Sequence, residues 1–150
     1  MIQLSRRSAL AIAAVVDIAL HARGAPVAAK ALAARLDLPP RHLETMLQAL
    51  VRAGILKGLR GPRGGYELAR ERRRITAGGI LRATMLDPSG ELPAPSESSP
   101  LLATVITPLV QTAMEACLAT LDTVTVAELC EQAENGGLTE DGTKTHDFTI

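Results

Sequence analysis

The sequence contains only two cysteines, Cys117 and Cys130, thirteen positions apart. Small secreted domains that depend on a disulfide framework carry more cysteines than this. Structural zinc sites place their ligands in closely spaced pairs, and neither cysteine has such a neighbour. We therefore expect no disulfide framework and no bound metal, and a reducing cytoplasm is the simplest setting for the chain.

Near the N-terminus the sequence lacks an apolar run long enough for a membrane span. The run over residues 9–16 is short, whereas a spanning helix needs about 20 predominantly apolar residues. Ser5, Arg6 and Arg7 before this run are similar to a twin-arginine export signal, but Asp17 interrupts the run and almost no polar region precedes the arginines. These features predict a cytoplasmic protein with no membrane partner.

Residues for catalysis are not assembled in any pattern. The three histidines, His21, His42 and His146, lie far apart in the sequence. No glycine-rich nucleotide-binding loop precedes a predicted helix, since residues 61–65 fall between two predicted strands. We therefore do not expect an enzyme.

The chain has a net charge of zero, but the charges are separated along it. Residues 1–82 hold fifteen lysines and arginines and five acidic residues, which gives +10. Residues 83–150 hold one lysine and eleven acidic residues, which gives −10. Because a strongly basic segment attracts polyanions electrostatically, the N-terminal half is a candidate for nucleic acid binding.

The third predicted helix has the clearest pattern in the sequence. Apolar residues recur at helical spacing in one stripe, and Gly54 provides a left-handed cap after it. The opposite face carries hydrogen-bond donors and acceptors at Arg41, His42, Glu44, Thr45, Gln48 and Arg52. Such a face is either an ordinary solvated surface or one that recognises a polar partner.

Helices are also predicted over residues 5–21 and 27–36, before this third helix. Residues 55–60 and 66–69 predict two strands, and the glycines at positions 61, 64 and 65 permit a tight hairpin between them. A hairpin directly after a helix-turn-helix is a wing. Thr76 is a suitable cap for a fourth helix, which Gly78 and Gly79 weaken by about 1 kcal/mol each relative to alanine.

Residues 87–100 predict a linker, residues 101–134 two helices, and residues 135–150 a loose tail. Pro108 predicts either a bend within one long helix, which we favour, or the start of the long helix. Its apolar residues cover more than one face, so that a second copy of the chain could cover the excess at Leu102, Val105, Ile106, Leu109, Val110, Ala113 and Leu121. The predicted fold is mostly α with a small β-hairpin wing: a winged helix-turn-helix over residues 1–86 and a long C-terminal dimerisation helix.

Residues 1–86 resemble the winged helix-turn-helix transcriptional regulators of the IscR, NsrR and CymR family. The matching segments are residues 4–7 (LSRR), 16–20 (VDIAL), 43–44 (LE), 52–56 (RAGIL) and the wing 60–66 (RGPRGGY). The wing is the most specific of these, and it differs from the usual family string by Arg63 in place of glycine. Residues 75–76 (IT) and 124–129 (VTVAEL) extend the resemblance more weakly towards the C-terminus.

Two departures from the family pattern bear on its function. Sensing members of the family carry three closely spaced cysteines in the loop after the wing domain, and here residues 87–100 contain none. A family-type iron–sulfur cluster is therefore not expected, and we expect no other cofactor. Leu10 stands where the family usually has tyrosine. Cys117 and Cys130 are structural, redox-active or, together with a histidine or carboxylate, ligands of an unorthodox cofactor.

The resemblance implies a homodimer that binds double-stranded DNA. The DNA-contacting residues are then predicted to be Ser5, Arg6, Arg7, Arg41, His42, Glu44, Thr45, Gln48, Arg52, Lys57, Arg60, Arg63 and Tyr66, with further phosphate contacts from some of Arg72, Arg73 and Arg74. The effector could be a small ligand, a partner protein or oxidation of a cysteine. An alternative function is a winged helix used only for protein docking.

Overall fold

The computed structural model describes residues 6–85 and 99–138 of the chain. Within these ranges the fold is mostly helical with one antiparallel hairpin, as the sequence predicts. The elements are α1 (Arg6–His21), α2 (Ala29–Arg35), α3 (Pro40–Arg52), β1 (Leu56–Leu59), β2 (Gly65–Leu68), a 3₁₀ turn (Arg72–Arg74), α4 (Ala77–Met85), a π-helical turn (Leu102–Ile106), α5 (Thr107–Leu121) and α6 (Val126–Asn135).

The core is built around α1, which contacts α2, α4, α6 and β2. Small residues on this helix, such as Ala11 and Ala14, are fully buried and let the neighbouring elements approach closely. This agrees with the nearly all-round apolar sequence of α1. The largest fully buried side chains come from every part of the domain and include Ile18, Leu32, Leu43, Leu47, Leu50, Leu56, Ile75, Ile80 and Val126.

An ion pair that the sequence pattern did not indicate holds α2 against α1. The Arg35 guanidinium donates to both carboxylate oxygens of Asp17, with Nη2 to Oδ1 at 2.7 Å and Nε to Oδ2 at 2.9 Å. Both side chains are largely shielded from solvent. A paired, mostly buried arginine and carboxylate fix orientation well, so this pair positions the first two helices of the helix-turn-helix.

Two helix ends follow the predicted capping residues, and α6 has a cap that was not predicted. Gly54 after α3 has φ +71°, a left-handed conformation that glycine adopts without strain. At the start of α4, the Gly79 amide donates to the Thr76 hydroxyl at 3.0 Å. At α6, Thr125 and Glu128 form a capping box, and the Thr125 amide that donates to the Glu128 carboxylate lowers the pKa of that carboxyl.

The hairpin forms in the predicted place with Leu56 opposite Leu68 and Leu59 opposite Gly65. Gly65 also lies against the segment before α2, where an added Cβ would come within 2.4 Å of the Val27 carbonyl oxygen. Val27 and Tyr66 exchange two backbone hydrogen bonds at this contact, of 2.9 and 2.8 Å. The end of β2 next to the hairpin turn is therefore fixed to the segment before α2.

A π-helical turn, Leu102–Ile106, lies just before Pro108 and leads directly into α5; the bend at Pro108 stays a prediction. Proline lacks the amide that would continue the ordinary hydrogen-bond ladder, and a π turn accommodates that loss. Leu118 near the C-terminal end of α5 is buried, and α5 packs on α4.

The segment Leu102–Leu121 has a mean hydropathy of 1.4 and is mostly exposed. By length and composition alone these 20 residues could cross a membrane, whereas the run over residues 9–16 is too short. Exposed apolar side chains on and beside it are Leu101, Leu102, Val105, Ile106, Leu109, Val110 and Met114. Leu121, also predicted to face a second copy, is instead half-buried.

Some predictions fall outside the described residues. These are the role of Ser5, most of the predicted linker, and the tail beyond residue 138.

Candidate nucleic-acid interface

Helix α3 presents the predicted polar face to solvent. Its apolar stripe, including Leu43, Leu47 and Leu50, is buried in the core. The stripe fixes the rotation of the helix, so the opposite side must face outward. All six residues predicted on that side are exposed: Arg41, His42, Glu44, Thr45, Gln48 and Arg52.

An open cleft of about 770 Å³ brings the start of α1 next to the start of α3. The apolar residues that line it include Leu10 and Met46. Five of the predicted DNA-contacting residues line it, namely Arg6, Arg7, Arg41, His42 and Thr45. The structure thus collects side chains that are 34 residues or more apart in sequence into one cationic surface beside the polar face of α3.

The turn of the hairpin carries two exposed arginines, Arg60 and Arg63. Gly61 has φ +107°, and a Cβ on Gly64 would lie 2.3 Å from the Leu59 carbonyl oxygen. This tight turn therefore requires glycine at both positions. Within residues 6–85 and 99–138, neither arginine side chain has a protein partner, so both guanidinium groups remain available to an external anion.

Lys57 and Tyr66, also predicted to contact DNA, have roles inside the hairpin. The Lys57 ammonium lies 2.8 Å from the Glu67 carboxylate on the paired strand, in an exposed ion pair. Tyr66 is half-buried and packs against the core beside its backbone contact with Val27. Lys57 can still exchange this partner for a phosphate because exposed ion pairs are weak.

The three arginines of the 3₁₀ turn do not all suit phosphate contacts. Arg72 donates to the Ala19 carbonyl oxygen of α1, so its side chain serves the fold. Arg72 and Arg73 also line a groove with Glu131 and Glu134 of the acidic helix α6. Among these three arginines, the predicted phosphate contacts therefore fall to Arg74, and they stay a prediction.

The two cysteines lie on different helices and in different surroundings. Cys117 on α5 is half-buried, whereas Cys130 on α6 is 2% exposed. Burial raises the pKa of the Cys130 thiol, although the nearby Arg72 opposes this shift. Since reactive thiols are exposed and have a lowered pKa, the surroundings of Cys130 are those of a structural cysteine.

We expect the two thiols to differ in their rates of alkylation. In the folded protein at neutral pH, iodoacetamide should modify Cys117 at least about tenfold faster than Cys130, because Cys130 is buried and mostly protonated. Mass spectrometry of peptides over a time course measures both rates, and the denatured chain provides the control, with two similar rates. Faster modification of Cys130 in the folded chain would contradict this account and favour a redox role for it.

A family model described as Rrf2, iron-dependent transcriptional regulator, matches residues 4–132. The chain belongs to the Rrf2 family. This confirms the resemblance inferred from the sequence.

Individual relatives agree with this assignment. Rrf2-type IscR from T. potens superposes on this chain with a TM-score of 0.69 and 30% identity over 90% of each chain. The global cysteine regulator CymR of B. subtilis gives a TM-score of 0.63 at 25% identity, covering 88% of this chain and 98% of that one. An HTH-type transcriptional regulator of Synechocystis is 41% identical over 81 residues, which are 54% of this chain and 55% of that protein. The chain thus matches about half the length of the curated relatives.

The family description names iron, and the donor groups of this chain can be compared with that requirement. The sequence between α4 and the long helix contains no cysteine over residues 87–100. Cys130 is buried, and the described ranges contain no group of three or more histidine, cysteine or acidic side chains that could hold a metal ion. Iron–sulfur clusters require several thiolate or imidazole ligands, so this set of residues does not fit a family-type cluster.

Proposed function

We propose that this Rrf2-family chain is a homodimeric, sequence-specific DNA-binding transcriptional regulator, acting as a repressor on a palindromic operator. The observation that carries the proposal is the exposed polar face of α3 beside the cationic cleft at the starts of α1 and α3. The proposed division is a DNA-binding domain over residues 1–86, a linker over 87–100, dimerisation helices over 101–134 and a tail over 135–150.

Base recognition is assigned to α3 in the major groove. Arg41 would bind guanine, Gln48 would bind adenine, and Glu44 would accept a hydrogen bond from the cytosine amino group. Arg6, Arg7 and Lys57 would neutralise phosphates and hold the protein in register. Arg60 and Arg63 of the hairpin would enter the minor groove, where narrow A·T-rich DNA concentrates negative potential.

A second copy of the chain is the proposed cover for the exposed apolar residues of the long helix. Leu109 is 65% exposed and Leu101 63% exposed, and a contiguous apolar face of this kind marks an interaction surface. Gln111 and Glu115 interrupt the apolar sequence, and the C-terminal end of α5 packs on α4. Both features favour a contact between two protein chains in water over a membrane span.

The proposed regulator works without the family-type cluster and in the cytoplasm. Its signal would then be a small ligand at the dimer interface, a partner protein on the acidic C-terminal half, or oxidation at Cys117. The second candidate function is a winged helix that only docks to proteins. Sequence preference at moderate salt distinguishes the two, because a docking module has no reason to prefer one duplex over another.

The test is a gel shift with DNA from upstream of the chain's own reading frame. At about 150 mM salt, the purified protein should bind this duplex at least about 10³-fold more tightly than a shuffled duplex of the same composition. Equal affinity for the two duplexes would contradict sequence-specific binding and favour the docking function.

The wing gives a second prediction. Arg63→Ala should weaken operator binding about tenfold, because a charge-assisted contact is lost at a position with no protein partner. Arg73→Ala is the matched control, since it removes the same charge from a side chain that lines the groove against α6, and it should change affinity less than about twofold. Fluorescence anisotropy measures both. An Arg63→Ala dimer that binds as well as wild type would remove the wing from the mechanism.

A further inference from the structure

The end of the long helix is joined to the DNA-binding unit beside the start of α4. The Ala77 amide donates to the Val124 carbonyl oxygen at 2.9 Å, and the Val126 amide donates to the Ile75 carbonyl oxygen at 2.8 Å. These bonds flank an antiparallel bridge between Thr76 and Thr125. The turn after α5 is thereby fixed to the start of α4.

An ion pair adds an angular constraint to this contact. Both terminal nitrogens of the Arg82 guanidinium on α4 donate to the Asp122 carboxylate, at 2.6 and 2.8 Å. Asp122 also has a side-chain hydrogen bond with Thr76, and together these bonds lower the pKa of the Asp122 carboxyl. A planar guanidinium that meets a carboxylate through two bonds fixes the orientation of both groups.

Gly78 explains why the carboxylate can lie so close to α4. A Cβ at this position would come 2.1 Å from Asp122 Oδ1 and 2.9 Å from the Asp122 amide nitrogen. Any other residue would therefore push the end of α5 away. The sequence indicated only that this glycine weakens α4, whereas the structure shows that its missing side chain leaves room for Asp122.

Small changes at this contact are amplified along the helix. The helix extends from Leu118, which packs on α4, to the exposed residues near Leu102. This span is about 24 Å at 1.5 Å per residue. A tilt of about 10° at the contact therefore moves the far end by about 4 Å, which is similar to the rise of about 3.4 Å per base pair.

We propose that the Arg82–Asp122 pair, seated on Gly78, sets the angle between the DNA-binding unit and the long helix and so determines which half-site spacing the dimer accepts. The inference rests on the proposed dimeric function. Arg82 and Asp122 are positioning residues in it, since their effect reaches the DNA through the direction of α5. A dimer binds two half-sites at a fixed separation, so the angle at each protomer enters the spacing directly.

The experiment measures affinity for operators in which the central spacer is shortened or lengthened by one or two base pairs. The full-length wild-type dimer should prefer one spacer at least about tenfold over its neighbours. Asp122→Asn and Arg82→Gln should flatten this preference to within about threefold, while sedimentation still shows a dimer. Thermal stability should hardly change, because an exposed ion pair contributes little to it.

Glu134→Gln is the matched control. It breaks another exposed pair, between Glu134 of α6 and Arg23 at 3.1 Å, away from the contact with α4. This variant should keep the wild-type spacer profile. Arg82→Lys keeps the charge but loses the two-bond geometry, so it should show the flattened profile, and it decides the matter if a neutral variant does not fold.

The possible failures are distinguishable. A wild-type chain that shows no preference for any duplex overturns the proposed function and this inference with it. A wild-type chain with a sharp spacer preference that Asp122→Asn or Arg82→Lys leaves unchanged overturns this inference alone.

Discussion

Operator affinity should fall roughly 10³- to 10⁵-fold when the salt concentration is raised from about 50 to about 200 mM. The physical reason is the release of counterions as the dimer neutralises about 6 to 10 phosphates. The net charge of the chain is zero, so a protein that responded only to its total charge would show little salt dependence. The expected effect arises because Arg6, Arg7 and Arg41 line one cleft.

Fluorescence anisotropy at several salt concentrations gives the slope of log affinity against log salt, expected at roughly −5 to −9. Arg6→Gln should make this slope less steep by about 2, because the dimer loses two phosphate contacts. Arg73→Gln removes the same charge beside the acidic helix α6 and should leave the slope unchanged. A slope near zero for the wild-type chain, or equal slopes for the two variants, would contradict the assignment of the cleft to DNA.

Leu109→Glu should dissociate the proposed dimer and weaken operator binding at least about 100-fold. The expected size follows from the several kcal/mol that an unpaired carboxylate costs when a partner surface buries it. The side chain is 65% exposed in the single chain, so the substitution should leave the fold of each protomer intact. Sedimentation equilibrium measures the mass, and circular dichroism checks the fold.

Gln111→Glu is the control for this variant. It adds the same charge two residues further along α5, roughly on the opposite side of the helix. Gln111→Glu should stay dimeric and bind the operator like wild type. A Leu109→Glu chain that remains a dimer would show that the exposed apolar residues do not form the interface, and a wild-type chain that partitions into lipid vesicles would favour membrane binding instead.

The sequence was sufficient for the elements whose signals are local. The stripe from Leu43 to Leu50 fixed the outward face of α3 because a helix has one period. Gly54 and Thr76 marked helix ends because capping uses particular residue types at particular places. The glycines of the hairpin turn predicted its position for the same kind of reason.

Contacts between residues far apart in the chain could not be predicted from the sequence. In the sequence Asp17 is only a break in an apolar run, yet in the structure it pairs with Arg35, eighteen residues later. Arg72 binds a carbonyl 53 residues away, and Arg82 binds a carboxylate 40 residues away. No periodicity records such partners, because they depend on how the elements pack. For the same reason the sequence indicated residues that line the cleft but did not show that they lie together.

The central claim is that the polar face of α3 recognises bases while the basic surface beside it binds phosphates. Selection of bound duplexes from a random library at about 150 mM salt tests it most directly, with wild type and Gln48→Ala in parallel. The account predicts a palindromic consensus for wild type, and a Gln48→Ala consensus that loses its preference at one symmetric pair of positions. Recovery of unrelated sequences by the wild-type chain, or of an identical consensus by both chains, would contradict it.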